Sequence, residues 1–455
     1  MSAEPKASAA RRPAEADRKA LAAQFRSVRA QSDRLTASLA EEDLRAQSME
    51  DVSPPYWNLG HTSWFFAANL LRRFDRMPRG FNDLDYPLNS YYEGLGPRLE
   101  RSRRGSVTTP TTKRVGGYRQ AVDDAVLDWL AACPADQLAE TSKILRIGCE
   151  HERQHQELFL TEIHHIRWSD PTGARTAYAP AAPKTAKEQV CSDALRAVTF
   201  DAGDTMLGHQ ERSLEQGGFC WDNELPAHRA CVGAYALGDR LVTNREWLAF
   251  VEDGGYRDPL LWLSNGWQTV CRDRLEAPLY WLSGEDGYAR FSLRGWAPLD
   301  LDAPACNVSF YEADAFARWF GHQHDTWRGA RLPREIEWEH AARQHDFERA
   351  GANLLGDDVT SCRFDVEPAP PATGGLRQLR GTAWEWTVSH YEPYPGYRPY
   401  DGALTEYNGK FMDNQRVLRG GSFATPRAQA RVAYRNFWPA DTRFQASGGR
   451  LCVER

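Results

Sequence analysis

Two histidines four residues apart, in His151-Glu152-Arg153-Gln154-His155, are the strongest chemical signal in the chain. On a helix, residues i and i+4 share a face, so both imidazoles can reach one ion. A third ligand has to come from another element. His61, in LGHTSWFF, is the best candidate, because a lone imidazole in so apolar a segment needs a partner. Three neutral imidazoles without a carboxylate leave an ion its full charge. They also leave coordination positions open for an anionic ligand such as a thiolate or selenolate, and for dioxygen; imidazole suits iron among several metals. The same letters also satisfy H-E-x-x-H, the zinc-protease pattern, with Glu152 as general base. No H-x-x-G-x-x-H extension follows, and His164 and His165 read as cations favoured at a helix C-terminus. From spacing alone, paired surface or core histidines also remain open.

These ligands need rigid helices to hold them. Apolar residues recur at helical spacing in ALAAQFRSVRAQSDRLTASL, YWNLGHTSWFFAANLLRRF, YRQAVDDAVLDWLAAC and ILRIGCEHERQHQELFLTEIHHI, which predicts a four-helix bundle over 17–168. Between the second and third helices a polar stretch of about 75–111 carries NSYYEGLGPRLERSRRG. A loop of that length in a compact domain is functional or disordered, and its aromatics favour function. Residues 1–16 read as a disordered leader and 169–190, rich in Pro, Ala and Thr, as a linker. From 191 to 455 short strands, glycine turns and two amphipathic helices, EWLAFVEDG and YEADAFARWFG, predict an irregular α+β domain.

Composition excludes several classes. In 455 residues, 62 acidic and 56 basic side chains are well mixed and sum to −6, so no electropositive face for nucleic acid is expected. No apolar run approaches the ~20 residues of a membrane span. The nine cysteines are scattered, without a CxxC pair, as idle thiols of a cytoplasmic protein are. The 16 Trp, 17 Tyr and 19 Phe suggest loop-rich structure pinned by large side chains.

The second half carries GGFCWDNELPAHR, RLPREIEWEHAAR, GTAWEWTVSHYEPYPGYRP, VLRGGSFATP and YRNFWPADTRF, and it resembles the formylglycine-generating-enzyme-like domain, a C-type-lectin-like scaffold. Together with MEDVSPPYWNLGHTSWFF, LNSYYEGLGPR and HERQHQELFLTEI in the first half, the chain resembles the ergothioneine-pathway sulfoxide synthases over about nine-tenths of its length. The resemblance implies a DinB-like helical bundle followed by the lectin-like domain. It implies an oxidoreductase that uses Fe(II) and dioxygen to join a thiol to the imidazole ring of hercynine as a sulfoxide. The family's iron ligands fall on His61, His151 and His155. Its hercynine contacts fall on Gln154, Asn436 and Phe437, with Trp438 adjacent; aromatic faces suit a quaternary ammonium, which cannot donate a hydrogen bond. Core packing is the plainer use of those aromatics. Arg98 and Arg101 match loop arginines that hold the donor's carboxylate, and Arg443 fits a similar part. Tyr91 and Tyr92 match a tyrosine pair placed to give a proton or hydrogen atom during oxidation.

Three departures bear on the donor: Thr382-Ala383 where the family has Asn-Val, Phe423 where Cys is common, and Trp438 where one branch has aspartate. Cysteine is the first expectation. The alternative is a selenosugar, as in the selenoneine synthase branch. Formylglycine-generating enzymes proper bind copper with a cysteine pair that RGGSFATPRAQARVAYRN lacks, and a non-catalytic ligand-binding module is the remaining class.

Overall fold

Four segments with apolar residues every three to four positions become the long helices of the first unit: α1 Lys6–Thr36, α2 Pro55–Phe66, α3 Thr112–Ala132 and α4 Leu138–Trp168. The computed structural model describes residues 6–173, 176–178, 193–210, 218–345, 347, 352–372 and 374–455. The chain divides into two compact units, Met1–Asp170 and Pro171–Arg455. Of the expected leader, residues 1–5 lie outside the described residues, and from Lys6 the backbone is already helical. That corrects a reading of 1–16 as unstructured: five alanines between positions 7 and 16 carry the highest helix propensity. Most of the expected linker, 174–175 and 179–190, lies outside the described residues. Among the described residues, no helix is long and apolar enough to cross a membrane.

Helix α2 starts with Pro55 at its first position, where the missing N–H costs nothing. Every residue of α2 except Leu59 is buried, so it forms the interior of the bundle. A π-helical turn, Ala67–Leu71, and a 3-10 turn, Arg72–Phe74, continue it until Asp75 adopts a left-handed conformation. Helix α3 is capped by Thr111, whose hydroxyl accepts from the Arg114 N–H at 3.2 Å. Where α4 meets α2, Gly148 leaves room for the buried Phe66 ring. The long connection between α2 and α3 is ordered and packed. Asn89 organises it, its amide donating to the carbonyls of Tyr92 and Gly96 while its oxygen accepts from the Tyr92 N–H. Leu88, Tyr92, Leu99 and Arg104 are buried.

The second unit contains helices α5 Asn244–Glu252, α6 Ser264–Asp273, α7 Phe310–Gln323 and α8 Glu335–Gln344. Capping boxes start α5 (Thr243 with Glu246) and α7 (Ser309 with Glu312). The strands are short, as expected, and lie in four small sheets. One has the order β1 (Ala197–Phe200), β4 (Tyr235–Gly238), β12 (Cys452–Glu454). Another has β10 (Asn436–Trp438), β9 (Arg416–Arg419), β8 (Trp384–His390), β11 (Ser447–Gly448). Strands β2 (Gly203–Leu207) and β3 (His228–Val232) form a hairpin, and β5 (Trp281–Gly284), β6 (Gly287–Ser292) and β7 (Gly295–Pro298) a meander. Large side chains hold this irregular scaffold: Trp221, Trp247, Trp338, Trp384 and Trp386 are all fully buried. Buried ion pairs tie its strands and helices, Arg450 to Glu385 at 2.8 Å and Arg419 to Glu335 at 2.9 Å.

Candidate metal centre

Helix α4 presents His151 and His155 on one face and α2 presents His61 opposite them. One nitrogen from each ring lies within 4.8 Å of the others. The ring centroids are 5.0 Å apart for His61 and His151, 4.9 Å for His61 and His155, and 4.6 Å for His151 and His155. Flat aromatic walls fix the rings. Trp57 stacks on His61 at 4.6 Å and 10°, and Phe65 on His151 at 4.3 Å and 27°.

The unprotonated forms are enforced by the surroundings. Burial holds the His61 imidazole well below its usual 6.5, helped by His155. Burial does the same for His151, aided by His61, and for His155, aided by His151 and Arg104. Neutral rings are what metal ligation requires. His61 Nδ1 donates to the Leu88 carbonyl at 2.7 Å, which leaves its buried Nε2 with no hydrogen-bond partner among the described residues. An orphaned buried nitrogen aimed among two other imidazoles fits a metal ion. His155 Nδ1 is 2.9 Å from Asn58 Oδ1.

Glu152 is unsuited to the protease reading. Its carboxylate accepts from Arg29 at 2.8 Å, Arg119 at 2.9 Å and the Ser32 hydroxyl at 2.7 Å. Burial pushes its pKa up, but Arg119 and Arg29 overcome that and hold it at about 2. A carboxylate committed to two guanidiniums on the side of α1 and α3 cannot serve as a general base poised near neutrality. The expectation for His164 and His165 also fails. Both are buried, and His165 bonds the Ser48 hydroxyl at 2.7 Å. Burial lowers its pKa to about 4, so it carries no charge toward the helix end.

Tyr92 and Tyr91 occupy different environments. Tyr92 is fully buried, its ring 5.7 Å from Trp64 and 6.0 Å from Phe65, the side chains that flank His61 and His151. Tyr91 is half-buried and stacks on Tyr92 at 4.7 Å. Gln154, next to His155 in the sequence, is half-buried. On the loop, Arg98 bonds Glu93 at 3.2 Å and Arg101 faces Asp51 at 3.9 Å, each about 40% exposed. In the second unit, Asn436, Phe437 and Trp438 form β10 and are half-buried. Phe437 stacks on Tyr391 at 3.9 Å. Arg443 is held by Glu312 through Nε and Nη2, both at 2.9 Å, so its charge serves an internal ion pair.

Three supporting residues escape a reading of the sequence. Asn58 lies one turn before His61 on α2. Glu162 lies two turns beyond His155 on α4 and accepts from Asn58 Nδ2 at 2.5 Å. Arg104 is buried, lies 3.4 Å over Trp57 and bonds the Ser53 hydroxyl at 2.8 Å. Polar residues on the apolar faces of α2 and α4 are the signal that could have revealed the first two.

Comparison with known proteins agrees with this architecture. Residues 182–455 match the family of the sulfatase-modifying factor enzyme 1-like domain, and residues 24–159 match the DinB superfamily. The hercynine oxygenase of Mycobacterium tuberculosis is 33% identical over 88% of this chain and 90% of its own length. That of Mycolicibacterium thermoresistibile is 32% identical over 90% of this chain and 89% of its own. The ergothioneine biosynthesis protein 1 of Schizosaccharomyces pombe is 25% identical over 54% of this chain and 29% of its own.

Proposed function

The chain belongs to the hercynine oxygenase family, and from that membership and its three-histidine centre we propose an iron-dependent oxidoreductase that forms a carbon–sulfur bond. Its substrates are the imidazole ring of hercynine, a thiol donor and dioxygen, and its product is a sulfoxide. The observation that carries this reading is the convergence of three neutral imidazoles from two helices, His61 and His151 buried and His155 half-buried, with the Nε2 of His61 lacking any other partner among the described residues. His61, His151 and His155 would hold the metal. A bound ferrous ion supplies the activation of dioxygen and of the chalcogen donor.

The chain's own residues supply binding and proton control. In this reading Phe437 and Trp438 receive the trimethylammonium group on their aromatic faces, and Asn436 and Gln154 orient the carboxylate or ring. Arg98 and Arg101, exposed on the loop with single weak partners, take the donor's carboxylate. Arg443 is already paired with Glu312, which holds its guanidinium in a fixed position. Tyr92, buried against the rings that wall the ligands, delivers a proton and steers oxidation toward the product; Tyr91 packs against it.

For the donor we favour cysteine. Thr382, Ala383 and Phe423, where this chain departs from the family, are all buried, and the Thr382 carbonyl accepts from the Phe423 N–H at 3.1 Å. Their changes therefore read as interior repacking, which leaves Trp438 as the departure that favours the alternative, a selenosugar. The test is a competition assay with hercynine, ferrous iron, dioxygen and three donors (cysteine, γ-glutamylcysteine and a seleno-glucose), read by mass spectrometry. A cysteine-derived sulfoxide is expected. A selenium product alone would move the assignment to the selenoneine branch, and product formed without iron or dioxygen would overturn the proposal. A non-catalytic binding module would bind hercynine and turn over none of the donors.

A further inference from the structure

We propose that Asn58 and Glu162 are a positioning pair that dictates which nitrogen of His155 faces the metal, an inference that rests on the metal site proposed above. The argument is one of hydrogen-bond direction. The Ser53 backbone N–H can only donate, and it donates to Glu162 Oε1 at 3.0 Å. The second carboxylate oxygen accepts from Asn58 Nδ2 at 2.5 Å. With its N–H₂ turned toward Glu162, the amide presents its carbonyl to His155, and Oδ1 stands 2.9 Å from Nδ1. A carbonyl only accepts, so Nδ1 carries the ring proton and Nε2 keeps its lone pair. Asn58 and Glu162 are buried in the bundle interior, and His155 is half-buried beside them. Arg104 donates to the hydroxyl of the same Ser53 at 2.8 Å.

His61 receives the same tautomer by a different device, the Leu88 backbone carbonyl, which no side-chain substitution removes. The His155 device is built from side chains and is therefore open to test. In E162Q the Ser53 N–H takes the carbonyl oxygen of the introduced amide, whose N–H₂ then faces Asn58. Asn58 must turn its oxygen toward position 162 and its N–H₂ toward His155. That arrangement asks Nδ1 to accept, moves the ring proton to Nε2 and blocks the metal. In the double variant N58D/E162Q every direction is restored. The Ser53 N–H donates to the amide oxygen at position 162, the N–H₂ of that amide donates to one carboxylate oxygen at position 58, and His155 Nδ1 donates to the other. The net charge is that of the wild type.

The test uses the full metal-free chain with ¹⁵N-labelled histidine, and cobalt(II) as the probe ion. Nitrogen shifts report the His155 tautomer, and titration reports affinity. Expected are an Nδ1-protonated ring in the wild type, cobalt affinity about 10–100-fold lower in E162Q, and recovery to within a few-fold of wild type in N58D/E162Q. A merely structural role would lower the melting temperature without moving the proton. A wild-type ring protonated at Nε2, an E162Q variant that binds like wild type, or a double variant no tighter than E162Q would each overturn the proposal. Should E162Q fail to fold, the wild-type tautomer and the double variant still decide. A wild-type chain that takes up no cobalt would refute the metal site itself, a result distinct from the other three.

Discussion

Replacing Glu152 by Gln should cost folding stability and leave metal binding intact, the reverse of what a zinc-protease centre would show. In the folded chain Glu152 sits between Arg29 and Arg119, at 2.8 and 2.9 Å, almost wholly removed from solvent. Burial opposes its ionisation, the two arginines more than compensate, and the pKa falls from 4.5 to about 2. At about 1.4 kcal/mol per pH unit, this corresponds to about 3 kcal/mol of stability. Asp123 and Asp33 still face the same arginines, at 2.7 and 2.9 Å, so the loss should stay below the ~5 kcal/mol that a fully stranded buried charge can reach. The sign of the pH dependence follows from a depressed pKa. The contribution is complete above 4.5 and disappears as pH falls toward 2, so the deficit of E152Q should be full at pH 7 and shrink in acid. Urea unfolding of the metal-free protein at pH 7 and pH 3.5, with cobalt titration at pH 7, measures both. An E152Q chain of wild-type stability that no longer binds metal would refute the assignment of Glu152 to the ion network.

Further outcomes follow from other contacts. Tyr92→Phe keeps the buried ring and removes one hydroxyl; product formation should fall about 100-fold or more, with donor oxidised without coupling, while Tyr91→Phe should change turnover only a few-fold. Phe437→Ala should raise the KM for hercynine roughly 3–30-fold, the range of a cation–π contact worth about 0.5–2 kcal/mol, without changing the KM of the donor. Gly148→Ala places a methyl group in the space of the Phe66 ring and should destabilise the first unit by about 1–3 kcal/mol, measured by thermal unfolding.

The bundle was legible because its four helices carry the helical period in apolar residues, and His61 stood out as an imidazole in the most buried of them. The second unit's short strands and its helices at 244–252 and 310–323 were legible from turn residues and amphipathic spacing. Helices α6 and α8 were not, since their buried faces include polar side chains such as Thr269, Glu335, Glu337 and Glu339, which break the apolar period. The same limit governs the site. His-Glu-Arg-Gln-His spells a protease pattern, and only Arg29, 123 positions away, and Arg119 give Glu152 its different role. The partner of His61 is a backbone carbonyl at Leu88, which no residue type announces. His164 and His165 look like a polar helix end in the sequence and are buried by packing that the sequence does not display.

Iron content of the purified chain tests the central claim most directly. After anaerobic loading with ferrous iron and removal of excess metal, the wild type should retain one iron per chain. His61→Ala, His151→Ala and His155→Ala should each retain little or none while unfolding at a temperature close to that of the metal-free wild type. Iron held as well by His61→Ala as by the wild type would contradict the account, because the imidazole from α2 would then not complete the centre on α4.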